Sequence, residues 1–234
     1  MFNEFNTFLF NTFLKDRLSL KITNYNSYET FGKDVEPEIS DIIEEYLNMQ
    51  DLEFEIHRAK NKNYFPDLEV VIDNVSYAIE YKAGIFDKNG EKTLEPANDL
   101  GTLGSFSKKL MKFNDQIYCI FIKYSIDNNK NISINEIYTD KIYKFMGKKD
   151  VNSTTLVKYR EKDGNLRPKN WNDFDNSVIY FNNIEEFRIA LYKTNLYRSA
   201  ALVSKHLDTL TFSDLLKIRT TINRLISKNK QKYK

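Results

Sequence analysis

The stretch "LEVVIDNVSYAIEYK", residues 68–82, constrains the fold more than any other part of the chain. Two β-prone runs flank Asp73-Asn74, a pair suited to the tight turn of a two-residue hairpin. Such a turn fixes how the two strands face each other. Side chains alternate along a strand, so Val75, Tyr77, Ile79 and Tyr81 share one face. Ser76, Ala78, Glu80 and Lys82 share the other, which lacks large apolar residues. Asp67, directly after Pro66, begins the first strand beside the end of the second. The hairpin therefore converges Asp67 on the Glu80/Lys82 pair.

Two carboxylates and a lysine at one point form a definite chemical kit. Hard oxygen ligands suit Mg²⁺, which is held by one or two carboxylates together with substrate phosphate oxygens. The ion acidifies bound water and neutralises charge on a phosphoryl group. Lys82 can orient the attacking water, accept its proton or stabilise the transition state. The backbone carbonyl of Tyr81, between the charged side chains, can supply a further ligand. Glu-x-Lys alone is a weak signal in a chain that is 29% charged. Its context strengthens it. The Pro-Asp precedes a strand, the Glu-x-Lys ends one, and an acid-rich helical segment lies upstream.

The surrounding segments set the architecture. "MFNEFNTFLFNTFLKDRLSLK" reads as an amphipathic helix with Phe2, Phe5, Leu9 and Phe13 at helical spacing. Its start has no positive region, and Glu4 sits early, so it is not read as a signal peptide. A loop at 24–35 leads to a helix over "EPEISDIIEEYLNM", residues 36–49. Pro37 suits its first turn, and Ile39, Ile42, Ile43, Tyr46 and Leu47 form its apolar stripe. "LEFEIHR" alternates as a strand. Residues 83–105 read as a long loop, followed by a short helix over "SFSKKLMKF". "QIYCIFIKYSI" is a strongly apolar central strand, "ISINEIYT" another strand, and "DKIYKFM" a short helix. Residues 153–181 read as strand, loop, strand, and two helices close the chain. The expected class is α/β or α+β, with a central mixed sheet of five to six strands flanked by helices. A 234-residue chain that is 41% hydrophobic can bury one such core, so a single domain over 1–234 is expected.

Several function classes lack their residues. The one cysteine, Cys119, lies in the apolar strand and reads as a buried thiol, which suits a cytoplasmic protein. His57 and His206 stand far apart, with no Cys/His cluster for zinc. There is no Gly-x-Ser-x-Gly elbow and no Walker or Gly-x-Gly-x-x-Gly loop, so no nucleotide cofactor is expected. No apolar run is long enough to span a membrane. The net charge of +2 announces no polyanion partner by itself. Lysines and arginines do cluster at 108–112, at 160–169 and in the tail "KNKQKYK", read as a frayed basic end.

The motif "FPD…EYK" resembles the PD-(D/E)XK nuclease superfamily. "EPEISDIIEEYL" is similar to the helix that carries a third acid in these nucleases, with Glu38 the best match and Glu36, Glu44 and Glu45 competing. "NYFPDLEVVI", "AIEYK", "DLGTLGSFSKKLMKF" and an apolar strand follow the order seen in type II restriction endonucleases of the EcoRV, HincII and SwaI branch. Glu80 stands where that branch usually has Asp. The resemblance covers residues 36–124 well and the C-terminal half loosely, which would place the catalytic core at about 36–124 and DNA recognition at about 150–234.

That resemblance implies a Mg²⁺-dependent endonuclease, with Mn²⁺ a possible substitute, acting in the prokaryotic cytoplasm. It would cut double-stranded DNA at a short palindromic site to leave 5′-phosphate ends, with a blunt cut. Asp67, Glu80 and Lys82 would be catalytic, assisted by Glu38. Asp67, Glu80 and the Tyr81 carbonyl would hold metal. A palindrome mirrors two-fold protein symmetry, so a homodimer is expected. Candidate DNA contacts are Asn98, Thr102, Ser105, Ser107, Lys108 and Lys109 in one loop and helix start. Arg167, Lys169 and Asn170 in a second loop are residue types that read base edges. The rival readings are a structure-specific or repair nuclease, of junction-resolvase or mismatch-nicking type, and a catalytically silent DNA-binding protein of the same fold.

Overall fold

The computed structural model describes residues 4–22, 31–61, 64–96, 98–205 and 209–232. The chain divides into two compact units, Met1–Thr194 and Asn195–Lys234. The first contains the main sheet, whose strands are β1 (Phe54–Arg58), β2 (Leu68–Ile72), β3 (Val75–Lys88), β4 (Glu91–Lys92), β5 (Ile117–Ile126) and β6 (Ile132–Lys141). Its order is β1-β2-β3-β5-β6, with β4 paired to the end of β3, which makes six strands. All pairings are antiparallel except β3 with β5. This is the expected mixed sheet. A second hairpin, β7 (Lys148–Val151) and β8 (Thr154–Val157), stands apart from it.

The helices α1 (Glu4–Lys21), α2 (Phe31–Asp34) and α3 (Glu36–Met49) supply one core layer. Phe10, Leu14, Leu18, Ile39 and Ile43 pack there with Val70, Ile79 and Ile122 of the sheet. Full burial of each such side chain contributes about 1.5–3 kcal/mol. The other face is covered by α4 (Leu103–Lys112), α5 (Trp171–Asp175) and the start of α6 (Ile184–Lys205). Phe106, Trp171, Phe174 and Phe187 fill it against Ala78, Cys119 and Phe121. β5 is buried on both faces, which explains its unbroken apolar run. The second unit holds the end of α6 and α7 (Phe212–Lys232). Among the described residues, no helix is long and apolar enough to cross a membrane.

The structure corrects five expectations. The face carrying Glu80 and Lys82 is not bare, because the second core layer covers it. Its apolar residues come from distant segments, so alternation within the hairpin could not reveal them. Second, β3 does not stop at Lys82. It runs beside β5 to Lys88, and a turn at Asn89-Gly90, with φ of 54° and 87°, returns the chain through β4. Third, residues 178–181 form no strand; α5 precedes them, and β7 pairs with β8 instead. Fourth, the buried stripe of α1 is Phe10, Leu14, Leu18, whereas Leu9 is 45% exposed. Phe2 and His206 lie outside the described residues, as does most of the loop at 24–35, although its end forms α2. Fifth, the basic tail continues as helix to Lys232.

Candidate active site

The hairpin turn forms at Asp73 and Asn74, both with left-handed backbone at φ 51° and 61°. Short polar side chains tolerate that conformation. The resulting register sets Leu68 opposite Ile79, so Asp67 reaches the Glu80–Tyr81 peptide. Its Oδ2 accepts a hydrogen bond from the Tyr81 backbone N–H at 2.7 Å. Lys82 Nζ donates to Glu80 Oε1 at 2.7 Å and to the Tyr81 carbonyl at 2.9 Å. Asp67, Glu80, Lys82 and the Tyr81 carbonyl thus meet at one point. Glu80 and Lys82 keep only 15% and 17% of their side-chain exposure.

Burial shapes the electrostatics of this point. Desolvation, then repulsion from Glu80, pushes the Asp67 carboxyl up to about 7, against the pull of Lys82 and the Tyr81 N–H. Burial works to discharge Lys82, but Glu80 and Asp67 outweigh it and hold its ammonium above the ordinary lysine value. Cys119, level with Glu80 on β5, is fully buried, and burial pushes its thiol far up, so it is an inert neighbour.

The donor set fits a hard divalent cation. Glu80 Oε2 is buried without a hydrogen-bond partner, and an unpaired carboxylate oxygen in such a place costs about 1–3 kcal/mol or more. A cation between Asp67 and Glu80 would satisfy that oxygen and relieve the repulsion between them. Among the described residues, no group of three or more His, Cys, Asp or Glu side chains gathers to hold a metal. Two carboxylates and a carbonyl nevertheless suit Mg²⁺, which keeps several waters.

The upstream acid is placed differently from expectation. Glu38 is ion-paired with Lys21 of α1, away from Asp67 and Glu80. Glu36 faces the site instead. Burial raises its carboxyl pKa, Lys82 lowers it and Glu80 raises it. The cause is helical phase. Ser40, one turn after Glu36, donates to the Glu36 carbonyl at 3.1 Å and lies 3.2 Å from the Tyr81 hydroxyl. That contact docks the Glu36 side of α3 on β3, and Glu38 turns toward α1. Glu44 pairs with Arg58 and Glu45 with Arg17. A buried serine spaced four residues from a glutamate was the available signal for Glu36.

The two loops expected to meet DNA are one structure. Leu100 N–H donates to the Leu166 carbonyl at 3.0 Å, and Leu166 N–H to the Gly101 carbonyl at 2.8 Å. Asp99 pairs with Arg160 at 2.9 Å and with Arg167 at 3.1 Å. Thr102 caps α4, accepting from the Ser105 N–H at 3.4 Å, with their hydroxyls 2.8 Å apart. Ser107 and Lys108 are exposed on the same helix. Asn98 sits by Gly84, where an added Cβ would lie 3.0 Å from its Nδ2. Lys109 lies within electrostatic reach of Glu80 and Asp67.

Lys169 and Asn170 have structural partners within the chain. Lys169 is 5% exposed, lies among Phe145 and Phe174, and donates to the Val178 carbonyl at 2.8 Å. Burial lowers its pKa to about 8 despite Asp173 and Asp140. Asn170 caps α5 by accepting from the Asp173 N–H at 2.9 Å. Sequence alone could not tell a basic loop from a buried lysine, because Phe145, Phe174 and Val178 close around Lys169 only in the folded chain.

Comparison with known proteins gives this geometry its setting. No curated protein resembles the chain closely enough to match. Among solved structures, the chain is similar to the NlaIV restriction endonuclease, with a TM-score of 0.50 and 18% identity over 74% of this chain and 67% of that one. This likeness concerns the fold. The family model of the NgoBV restriction endonuclease matches residues 32–215, a span that includes Glu36, Asp67, Glu80, Lys82 and the joined loops. The chain belongs to the NgoBV restriction endonuclease family.

Proposed function

We propose that the chain is a type II restriction endonuclease that hydrolyses both strands of DNA at a short palindromic site. The observation that carries this reading is the convergence of Asp67, Glu80 and Lys82, with Glu80 Oε2 left without a partner. A divalent ion, Mg²⁺ with Mn²⁺ as substitute, would supply acidified water and charge neutralisation when held by Asp67, Glu80 and the Tyr81 carbonyl. Lys82, hydrogen-bonded to Glu80 and to the Tyr81 carbonyl, orients the attacking water or accepts its proton and neutralises a phosphoryl oxygen. In-line attack on phosphorus breaks the bond to the 3′ oxygen and leaves 5′-phosphate and 3′-hydroxyl ends. Glu36, facing the pair, is assigned the supporting acidic role for which sequence favoured Glu38.

The catalytic core is assigned to residues 36–124 of a single nuclease domain. The joined loops around Asn98, Thr102 and Arg167, with Ser105, Ser107 and Lys108 on α4, form the surface toward DNA. One such site cuts one strand, so a homodimer with a blunt cut at the centre of a palindrome is the accompanying assignment. Such an enzyme acts in the cytoplasm.

The test is digestion of plasmids carrying random inserts, with Mg²⁺ and then with EDTA, followed by sequencing of the ends. Discrete ends at one repeated sequence are expected, and Lys82→Ala should abolish them. Cutting confined to branched or mismatched DNA would replace this reading with a structure-specific nuclease. A wild type no more active than Lys82→Ala would leave only a DNA-binding protein.

A further inference from the structure

Lys109 extends from α4 beside the catalytic hairpin. Its Nζ lies 3.7 Å from the centroid of the Phe65 ring, two residues before Asp67. Phe65 is braced edge-on by Phe113, at 5.8 Å between ring centroids. On another side, Nζ rests by Gly101, where an added Cβ would approach it to 3.5 Å. Glu80, Asp67 and Lys82 all act on its charge, so its ammonium lies within electrostatic reach of the whole centre. Among the described residues, it has no ion pair and no hydrogen bond.

This arrangement is chemically unbalanced. Burial lowers the Lys109 pKa, and desolvated lysines ordinarily sit against a carboxylate. Here an aromatic face takes that place. A cation–π contact of about 0.5–2 kcal/mol fixes the ammonium while leaving its three donors free. In the same centre, Glu80 Oε2 is buried without a donor. Lys109 lacks a paired anion, and Glu80, which meets Lys82 through Oε1, has its second oxygen without a donor. A phosphodiester bound with a divalent ion satisfies both.

We propose that Lys109 is a second catalytic lysine, whose ammonium holds a non-bridging oxygen of the phosphodiester presented to Asp67 and Glu80. The proposal rests on the nuclease reading above. It separates Lys109 from Lys108, which is exposed and suited to the flanking DNA backbone. Phe65 is a positioning residue, since it orders the lysine without occupying its donors. Lys82 and Lys109 reach the phosphate from different elements, β3 and α4, so α4 is part of the catalytic machinery and not only a crossover.

The experiment uses the full chain and the plasmid that the wild type linearises. Single-turnover cleavage with Mg²⁺, DNA affinity with Ca²⁺, and thermal melting are compared for Lys109→Met, Lys109→Gln, Lys109→Arg and Phe65→Leu, with Lys82→Ala as control. Each neutral variant should lose roughly 100-fold in cleavage rate while affinity changes by less than roughly threefold, because the lost contact acts at the reacting phosphate. Lys109→Arg should recover part of the rate, and melting should match the wild type. Two neutral variants are included so that one misfolded protein does not decide the matter. If both neutral variants cut at the wild-type rate while Lys82→Ala is inactive, the inference fails and the nuclease reading stands. If they lose affinity but keep their rate, Lys109 is an ordinary backbone contact, and the inference again fails. If the wild type cuts no DNA, both fall together.

Discussion

Replacing Asp67 by Asn should stabilise the metal-free protein at alkaline pH while abolishing its activity. An aspartate in the unfolded chain has a pKa near 3.8, whereas burial and Glu80 push Asp67 up to about 7 in the folded state. Between those values the folded protein holds a proton that the unfolded chain has released. The contribution of Asp67 to stability is therefore greatest below about pH 4, declines as pH rises through about 7, and levels off above it. A displacement of this size corresponds to about 4 kcal/mol at most. Asn removes the charge but keeps an oxygen to accept from the Tyr81 N–H, so about 2–4 kcal/mol should be recovered at pH 8, or about 5–10 °C in Tm. The assay is calorimetric melting in EDTA at pH 5 and pH 8. The wild type should lose stability between the two, and Asp67→Asn should lose less. Mg²⁺ should raise the wild-type Tm at pH 8 and leave the variant unchanged. An Asp67→Asn protein that melts no higher than the wild type at pH 8 without metal would refute the account of a repelling, desolvated carboxylate pair.

Two other substitutions test the placement of the site. Glu36→Gln should slow cleavage at least roughly tenfold, whereas Glu38→Gln should stay within roughly twofold, having lost only a partly exposed ion pair; equal losses in single-turnover cleavage would contradict the helical phase described here. Gly84→Ala would bring a Cβ to 2.6 Å from Trp171 Cζ2, two residues beyond Lys82. It should destabilise the protein by about 1–3 kcal/mol through overpacking, and an unchanged urea midpoint would show that Trp171 moves freely.

The order of elements, the α3 stripe and the hairpin around Asp73-Asn74 were legible because they depend on local periodicity and turn chemistry. Helix α3 occupies residues 36–49, as its pattern required. The same local rules brought Asp67 to Glu80, Tyr81 and Lys82, since the register of a two-residue hairpin leaves little choice. Where expectation failed, the deciding contacts were tertiary ones that no local periodicity displays. Glu36 and Glu38 are both acids near the start of one helix, and only its docking through Ser40 on Tyr81 selected between them. Lys169 looked like a base-reading residue until Phe145, Phe174 and Val178 enclosed it. Lys109 looked like one of several lysines near DNA until Phe65 held it beside the carboxylates. The sequence by itself determined which chemical groups this protein owns and how neighbours along a strand or turn are disposed. Only the tertiary structure decided which of them are desolvated, paired or left waiting for a ligand, because burial and charge compensation arise from contacts between segments that no local pattern encodes.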